Sequence, residues 1–288
     1  MESYLKRAEE LKKQEKFEEA LKQIDNGLKA FPGNEALLLK KASILIDSFD
    51  DVDAGFALLL TIERGFGHQS IADLKKKLGG ELLLELYLLL TDCFRLKNDQ
   101  REALNHALMA QKLAPKDQAA ILALTTAYFE LGNLEKAKSI FRTVKDEPRA
   151  ESFWLLGQIL CAEGLINEAD EMFLAASLED EGYHRPNRIS EEEFVEHFNQ
   201  ALESLPKDIA DFVTKHAVQL LDIVPLEMVK ESRGHLIPTA TMSIDKKTVP
   251  TIFFYQRNVE NMVEENDFSE LIASILLHGL KNELLNQN

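Results

Sequence analysis

Apolar side chains recur at intervals of three and four along the first 183 residues, the period of an amphipathic helix. The pattern also repeats on a longer scale. Residues 1–34 carry Tyr4, Ala8, Leu11, Ala20, Ile24, Gly27 and Pro32. Residues 84–117 carry Tyr87, Thr91, Phe94, Ala103, Ala107, Ala110 and Pro115 in the same phase. Residues 118–149 carry Ile121, Thr125, Tyr128, Ala137 and Phe141, and residues 150–183 carry Phe153, Gly157, Leu160, Ala169, Phe173 and Ala176. Ala103 and Ala137 lie 34 residues apart, and Ala137 and Ala169 lie 32 apart. One period beyond Ala20 falls Ala54, which predicts a second, divergent unit over about 35–65. The step from Ala54 to Ala103 is 49 residues, so an insertion is expected at about 65–80. Each unit reads as two antiparallel helices. Small residues at its eighth and twentieth positions let the helix axes approach closely. No unit buries its apolar face alone, so the array stands by stacking.

The periodicity changes after residue 183. Residues 184–189 read as a linker. Ser190 to Glu193 form a capping-box signature that opens a helix with Phe194, Phe198, Ala201 and Leu205 on one face, ended by Pro206. Short extended segments follow at about 217–224, 239–244 and 251–255, the last rich in strand-forming residues. A final helix starts near Asp267. Helices on a small sheet make 190–288 an α+β domain. The expected fold class is mainly α: a helical solenoid followed by this small domain.

The repeated units resemble the tetratricopeptide repeat, whose large, small and aromatic positions they share. The resemblance implies an α-solenoid over residues 1–183 that holds another protein. In such arrays the first helix of each unit lines a concave groove at positions 2, 5, 9 and 12. Leu88, Asp92, Arg95, Leu122, Thr126, Phe129, Trp154 and Gln158 therefore form the expected partner-binding groove, with Leu88, Leu122, Phe129 and Trp154 as an apolar strip. The basic cluster that grips a terminal carboxylate in the chaperone-tail binders of this family is missing, since the first unit offers Glu2, Leu5, Glu9 and Lys12.

The C-terminal hundred residues are similar to the minimal zincin-like metallopeptidase domain found in bacteria. Three stretches carry the likeness: Phe194 to Pro206, Val249 to Glu260, and Ile275 to Asn282. The third falls where that family has His-Glu-x-x-His. Two histidines one helical turn apart hold Zn²⁺ there, and the Glu activates the metal-bound water. His278 matches the first ligand, but Gly279 stands at the base and Asn282 at the second ligand. The resemblance thus implies peptidase ancestry without the chemistry. No catalytic residue, metal or cofactor is expected. The alternative is a metal-dependent peptidase with a rearranged zinc site, at which His216, His235 and Glu283 converge.

A net charge of −16 disfavours nucleic acid and anionic membrane surfaces, and favours a basic or apolar protein partner. No signal peptide or span-length apolar run is seen, which predicts a cytoplasmic protein. Cys93 and Cys161 sit in helical patterns and read as packed thiols. His68, His106 and His197 lie among charged residues and read as surface. No phosphate-binding loop, nucleophile elbow or Cys-x-x-Cys motif occurs. The function expected is a non-enzymatic scaffold, with self-association as a further possibility.

Overall fold

The computed structural model describes residues 1–67, 69–143, 149–225, 240–243, 251–263 and 267–285. The chain divides into two compact units, residues 1–128 with 139–144 and residues 129–138 with 145–288.

The first unit begins with α1 (Glu2–Lys12) and α2 (Phe17–Ala30), then α3 (Glu35–Phe49) and α4 (Val52–Phe66). The insertion folds as a short helix, α5 (Ile71–Leu78). Ser70 caps it by accepting a hydrogen bond from the Asp73 amide at 3.2 Å. Next come α6 (Gly80–Leu96) and α7 (Gln100–Leu113). The helices α8 (Gln118–Glu130) and α9 (Leu134–Phe141) follow, and the division between units falls within both. The helices α1 and α2, α3 and α4, and α6 and α7 pack as hairpins.

The small positions do what their spacing predicts. Ala8, Ala20, Thr91, Ala103, Thr125 and Ala137 are all buried. Thr91 and Thr125 each donate their hydroxyl to the carbonyl one turn back, Tyr87 and Ile121, at 2.8 Å, so a polar group sits in the seam at no loss of hydrogen bonding. Each hairpin turns through one residue of left-handed backbone. This is Glu15, Asn98, Gly132 or Gly164, each the fifteenth residue of its unit when units start at 1, 84, 118 and 150. In the divergent unit starting at 35 the turn residue is Asp50, the sixteenth. The extra residue shifts the next helix by one. Gly55, not Ala54, therefore occupies the close approach, where a Cβ would run into the Ile46 side chain. Leu59, Ile62 and Phe66 continue that buried face.

The second unit contains the hairpin α10 (Ala150–Ala162) and α11 (Ile166–Glu179), then α12 (Glu191–Ser204) and α13 (Lys207–Thr214). Ser190 and Glu193 complete the expected capping box. Three strands follow: β1 (Ala217–Leu221), β2 (Ala240–Ser243) and β3 (Thr251–Tyr255). They form a sheet in the order β1-β3-β2. β3 pairs parallel to β1, Ala217 opposite Thr251, and antiparallel to β2, Ala240 opposite Phe254. The helices α14 (Gln256–Glu260) and α15 (Phe268–Leu285) close the described chain. Phe254 and Ile252 enter a core with Phe194, Val213, Phe268 and Ile272, while Tyr255 packs with Val224 on the other face. A central strand covered on both faces reads as a continuous apolar run, which is what residues 251–255 are.

The expected linker at 184–189 is packed. Pro186 is buried, and Arg188 bonds Asp170 of α11 at 2.7 Å and Glu260 of α14 at 2.9 Å. Its guanidinium also lies over the Phe173 ring.

Candidate functional site

In the first unit α1, α3, α6 and α8 present one side to a concave groove of about 620 Å³. Its lining includes Leu84, Leu88 and Leu89 of α6, each half-buried. Carboxylates alternate with these leucines along α6: Glu81, Glu85 and Asp92. Glu9, Asp47 and Asp117 add three more from neighbouring helices, against Lys12, Lys13 and Lys40.

Lys12 and Lys40 are paired within the groove. The Lys40 ammonium bridges Glu9 at 2.6 Å and Glu85 at 3.1 Å, tying α1, α3 and α6 together. Burial alone would depress the Lys40 pKa, but these two carboxylates outweigh it and hold it above the usual lysine value. Lys12 donates to Asp47 at 2.7 Å and to the Ser43 hydroxyl at 3.3 Å. Asp117 uses a carboxylate oxygen to cap α8, accepting from the Ala120 amide at 3.0 Å. Asp92 pairs with Arg95 at 3.1 Å, one turn along. Half of the Asp92 side chain surface meets solvent, yet the concave wall crowds it. Loss of surrounding water raises its carboxyl pKa despite Arg95.

Of the residues expected to line a partner groove, Leu88 and Asp92 line this one, with Arg95 bonded to Asp92. Leu122 and Phe129 do not offer an apolar strip, because they are buried to 3% and 4% exposure. The physical reason lies in α8, where Ala120, Leu124, Ala127 and even Glu130 are buried as well. A helix enclosed on most of its circumference has no open stripe. Thr126 and Gln158 are half-buried. Trp154 is half-buried against Phe173, Tyr183 and His184, with ring centroids 4.7, 5.7 and 5.3 Å away. The segment after α11 therefore stacks on the indole.

His278 on α15 is exposed, and its Nδ1 donates to the Ser274 carbonyl at 2.8 Å. The side chains of Gly279, Asn282 and Glu283 lie outside the described residues, as do His235 and His68. His216 bonds the Phe212 carbonyl through Nδ1 at 2.6 Å. No group of three or more metal-binding side chains converges among the described residues. Burial pushes the Cys93 thiol up to about 11 and raises that of Cys161, so neither is a ready nucleophile.

His106 is not at the surface. It is 6% exposed and stacks on Phe94. Its Nδ1 faces the Glu102 carbonyl at 2.8 Å and its Nε2 faces a Glu63 carboxylate oxygen at 2.7 Å. Sequence reasoning also misses a cluster in the second unit. Glu260, fully buried, accepts from Arg188, Arg257, Gln256 and the Ile189 amide. Nothing in the local pattern announces it, because Arg188 and Ile189 lie 67 to 73 residues from their partners Gln256, Glu260 and Asn261.

The in-phase hairpins, their buried small residues and the groove on their first helices define a mainly α array of repeated helical hairpins with a small C-terminal sheet. Among solved structures, the chain is similar to MamA, at 20% identity and TM-score 0.44 over 61% of this chain and 95% of that one. It is similar to a thermophilic tetratricopeptide-repeat protein of Thermus thermophilus, at 20% identity and TM-score 0.45 over 62% of this chain and 91% of that one. A tetratricopeptide-repeat protein from Parabacteroides merdae matches at 16% identity and TM-score 0.38 over 60% of this chain and 76% of that one. No protein-family model and no curated protein matches the chain. No helix among the described residues is long and apolar enough to cross a membrane.

Proposed function

We propose that this chain is a non-enzymatic scaffold that holds a segment of a partner protein in the groove of its first unit. The observation that carries the reading is the row of half-exposed leucines on α6, set in a concavity between carboxylates. Exposed apolar groups inside a polar rim gain by being covered, and a groove of about 620 Å³ suits a peptide segment rather than a whole domain. We also propose that the C-terminal module is a peptidase-like domain without peptidase chemistry. Support comes from Gly279, which has no side chain with which to activate a water.

The test is site-specific photocrosslinking in host lysate. A photoreactive residue at Leu88 is expected to give a defined adduct, and one at the exposed Leu178 is not. Identical adduct patterns from both positions would refute the groove assignment.

A further inference from the structure

Along α6 the groove face reads Glu81, Leu84 with Glu85, Leu88, then Asp92. The carboxylates at 81, 85 and 92 and the leucines at 84 and 88 thus succeed one another by helical turns, about 5.4 Å apart. The groove is polarised across its width. At the α1 and α3 side, Lys12 pairs with Asp47, and Lys40 bridges Glu9 to Glu85 of α6. At the α6 and α8 side, no salt bridge among the described residues reaches Glu81 or Asp117, and Asp92 has only its neighbour Arg95. Lys40 shows how this wall takes an ammonium: one nitrogen lies within 3.1 Å of carboxylates on two different helices.

We propose that the segment held in this groove is cationic and amphipathic, with Lys or Arg side chains a turn apart and apolar side chains between them. This rests on the reading that the groove holds a partner, and adds the chemistry of that partner. Its apolar side chains cover Leu84 and Leu88, and its cations reach Glu81, Asp92 and Asp117. A cation entering beside Asp92 restores the stabilisation of charge that the crowded wall removes. An acidic segment meets six carboxylates against three lysines and is rejected.

Fluorescence anisotropy on the full chain tests this with three labelled synthetic helical peptides of about twelve residues, roughly three turns. Each carries Leu a turn apart on one face, with Lys, Gln or Glu a turn apart beside it. At physiological salt the Lys peptide is expected to bind, the Gln peptide at least about tenfold more weakly, and the Glu peptide not at all. The triple variant Glu81→Gln, Asp92→Asn and Asp117→Asn is expected to weaken the Lys peptide by about tenfold or more. The asparagine in place of Asp117 keeps the α8 cap. A control triple variant of exposed acids, Glu18→Gln, Glu19→Gln and Glu168→Gln, changes the net charge equally and is expected to leave affinity within about twofold. Leu88→Gln, checked for folding by circular dichroism, is expected to weaken the Lys peptide as well. Equal loss in both triple variants, or equal binding of the Lys and Gln peptides, overturns the cationic inference. If Leu88→Gln still weakens binding in that case, the groove reading survives. If neither Leu88→Gln nor the groove triple variant changes affinity, both readings fall.

Discussion

The His106–Glu63 pair allows a sharp test of how the first unit is held together. Both ring nitrogens of His106 face acceptors: a backbone carbonyl at Nδ1 and a carboxylate at Nε2. A neutral imidazole carries one N–H and can satisfy one of them. The geometry therefore requires the doubly protonated ring. Burial by itself disfavours that charge, but the bond to Glu63, the Glu102 carbonyl and the two carboxylates outweigh it, and the pKa is raised. Phe94 stacks on the ring at 5.0 Å and 21°, and Tyr87 is the other aromatic neighbour. The pair links α4 to α7.

Glu63→Gln keeps the shape and an acceptor oxygen but removes the charge. A charge-assisted hydrogen bond contributes about 1.5–3 kcal/mol and a neutral one about 0.5–1.5 kcal/mol. Glu63 is 37% exposed, so the lower part of that difference applies, about 1 kcal/mol. The sign with pH follows from the raised pKa. The stabilisation is fully present below the unfolded histidine pKa, about 6.5, and is lost as pH rises through the higher folded value. At alkaline pH the neutral ring keeps one N–H and leaves either the Glu63 carboxylate or the Glu102 carbonyl without its donor. The wild type is thus expected to melt about 2–4 °C above Glu63→Gln near pH 6. That advantage is expected to shrink as the pH rises into alkaline solution. Far-ultraviolet circular dichroism gives the melting points, and the His106 ring-proton shift in NMR gives the pKa directly. A melting difference that stays constant from acid to alkaline pH, or an imidazole that titrates below about 6.5, the unperturbed value, would refute the reasoning.

Three further outcomes are expected. Glu260→Ala leaves Arg188 and Arg257 buried without their shared carboxylate and costs the second unit about 3–5 kcal/mol, measured by the fluorescence of Trp154 during urea unfolding; a loss below about 1 kcal/mol refutes the role of the cluster. Gly55→Ala forces a Cβ into the Ile46 side chain and costs about 1–3 kcal/mol, whereas Ala54→Gly costs only about the helix-propensity difference of 1 kcal/mol; equal effects in thermal melts sink the register assigned to α4. Elemental analysis of full-length protein purified without a metal column is expected to find no stoichiometric zinc; one equivalent, lost in His278→Ala, favours the rearranged peptidase site instead.

The helical hairpins are legible in the sequence because their signal is steric and local. A buried seam tolerates only small residues at fixed spacing, and alanine, threonine and glycine at those places declare it. The register of α4 departs from its expected one by a single residue because Ala54 and Gly55 both satisfy the small-residue rule. Only the position of the left-handed residue Asp50 separates them, and backbone conformation at an aspartate cannot be read from its identity. The groove is half legible. Periodicity finds which side of α6 faces the concavity, but whether a side is covered depends on neighbours distant in sequence, as Leu122 and Phe129 show. His106 looks superficial for the same reason: the residues beside it are charged, but Glu63 and Phe94 come from other helices. In the C-terminal module β3 is legible since both its faces are buried. The helix α13 is not, because Pro206, which closes one helix, is also the N-cap of the next.

The cluster around Glu260 explains how the second unit ends the repeat pattern. A hairpin array leaves an apolar face at its last unit, and that face must meet something other than another hairpin. In this chain Cys161 and Phe173 of the fifth hairpin are buried. Asn261 donates to the Cys161 sulfur at 3.5 Å, and the Arg188 guanidinium lies over Phe173. Arg188 can occupy so enclosed a place only because Asp170 holds it from the hairpin and Glu260 holds it from the C-terminal module. Neither carboxylate suffices alone. Asp170 takes the Nε and Nη2 edge of the guanidinium and leaves Nη1 to Glu260 and Asn261, and Glu260 without Arg188 shares its buried charge with Arg257 only. The charge pairing thus makes the hairpin and the module mutually dependent. The module has a structural role in the second unit that does not require metal at His278.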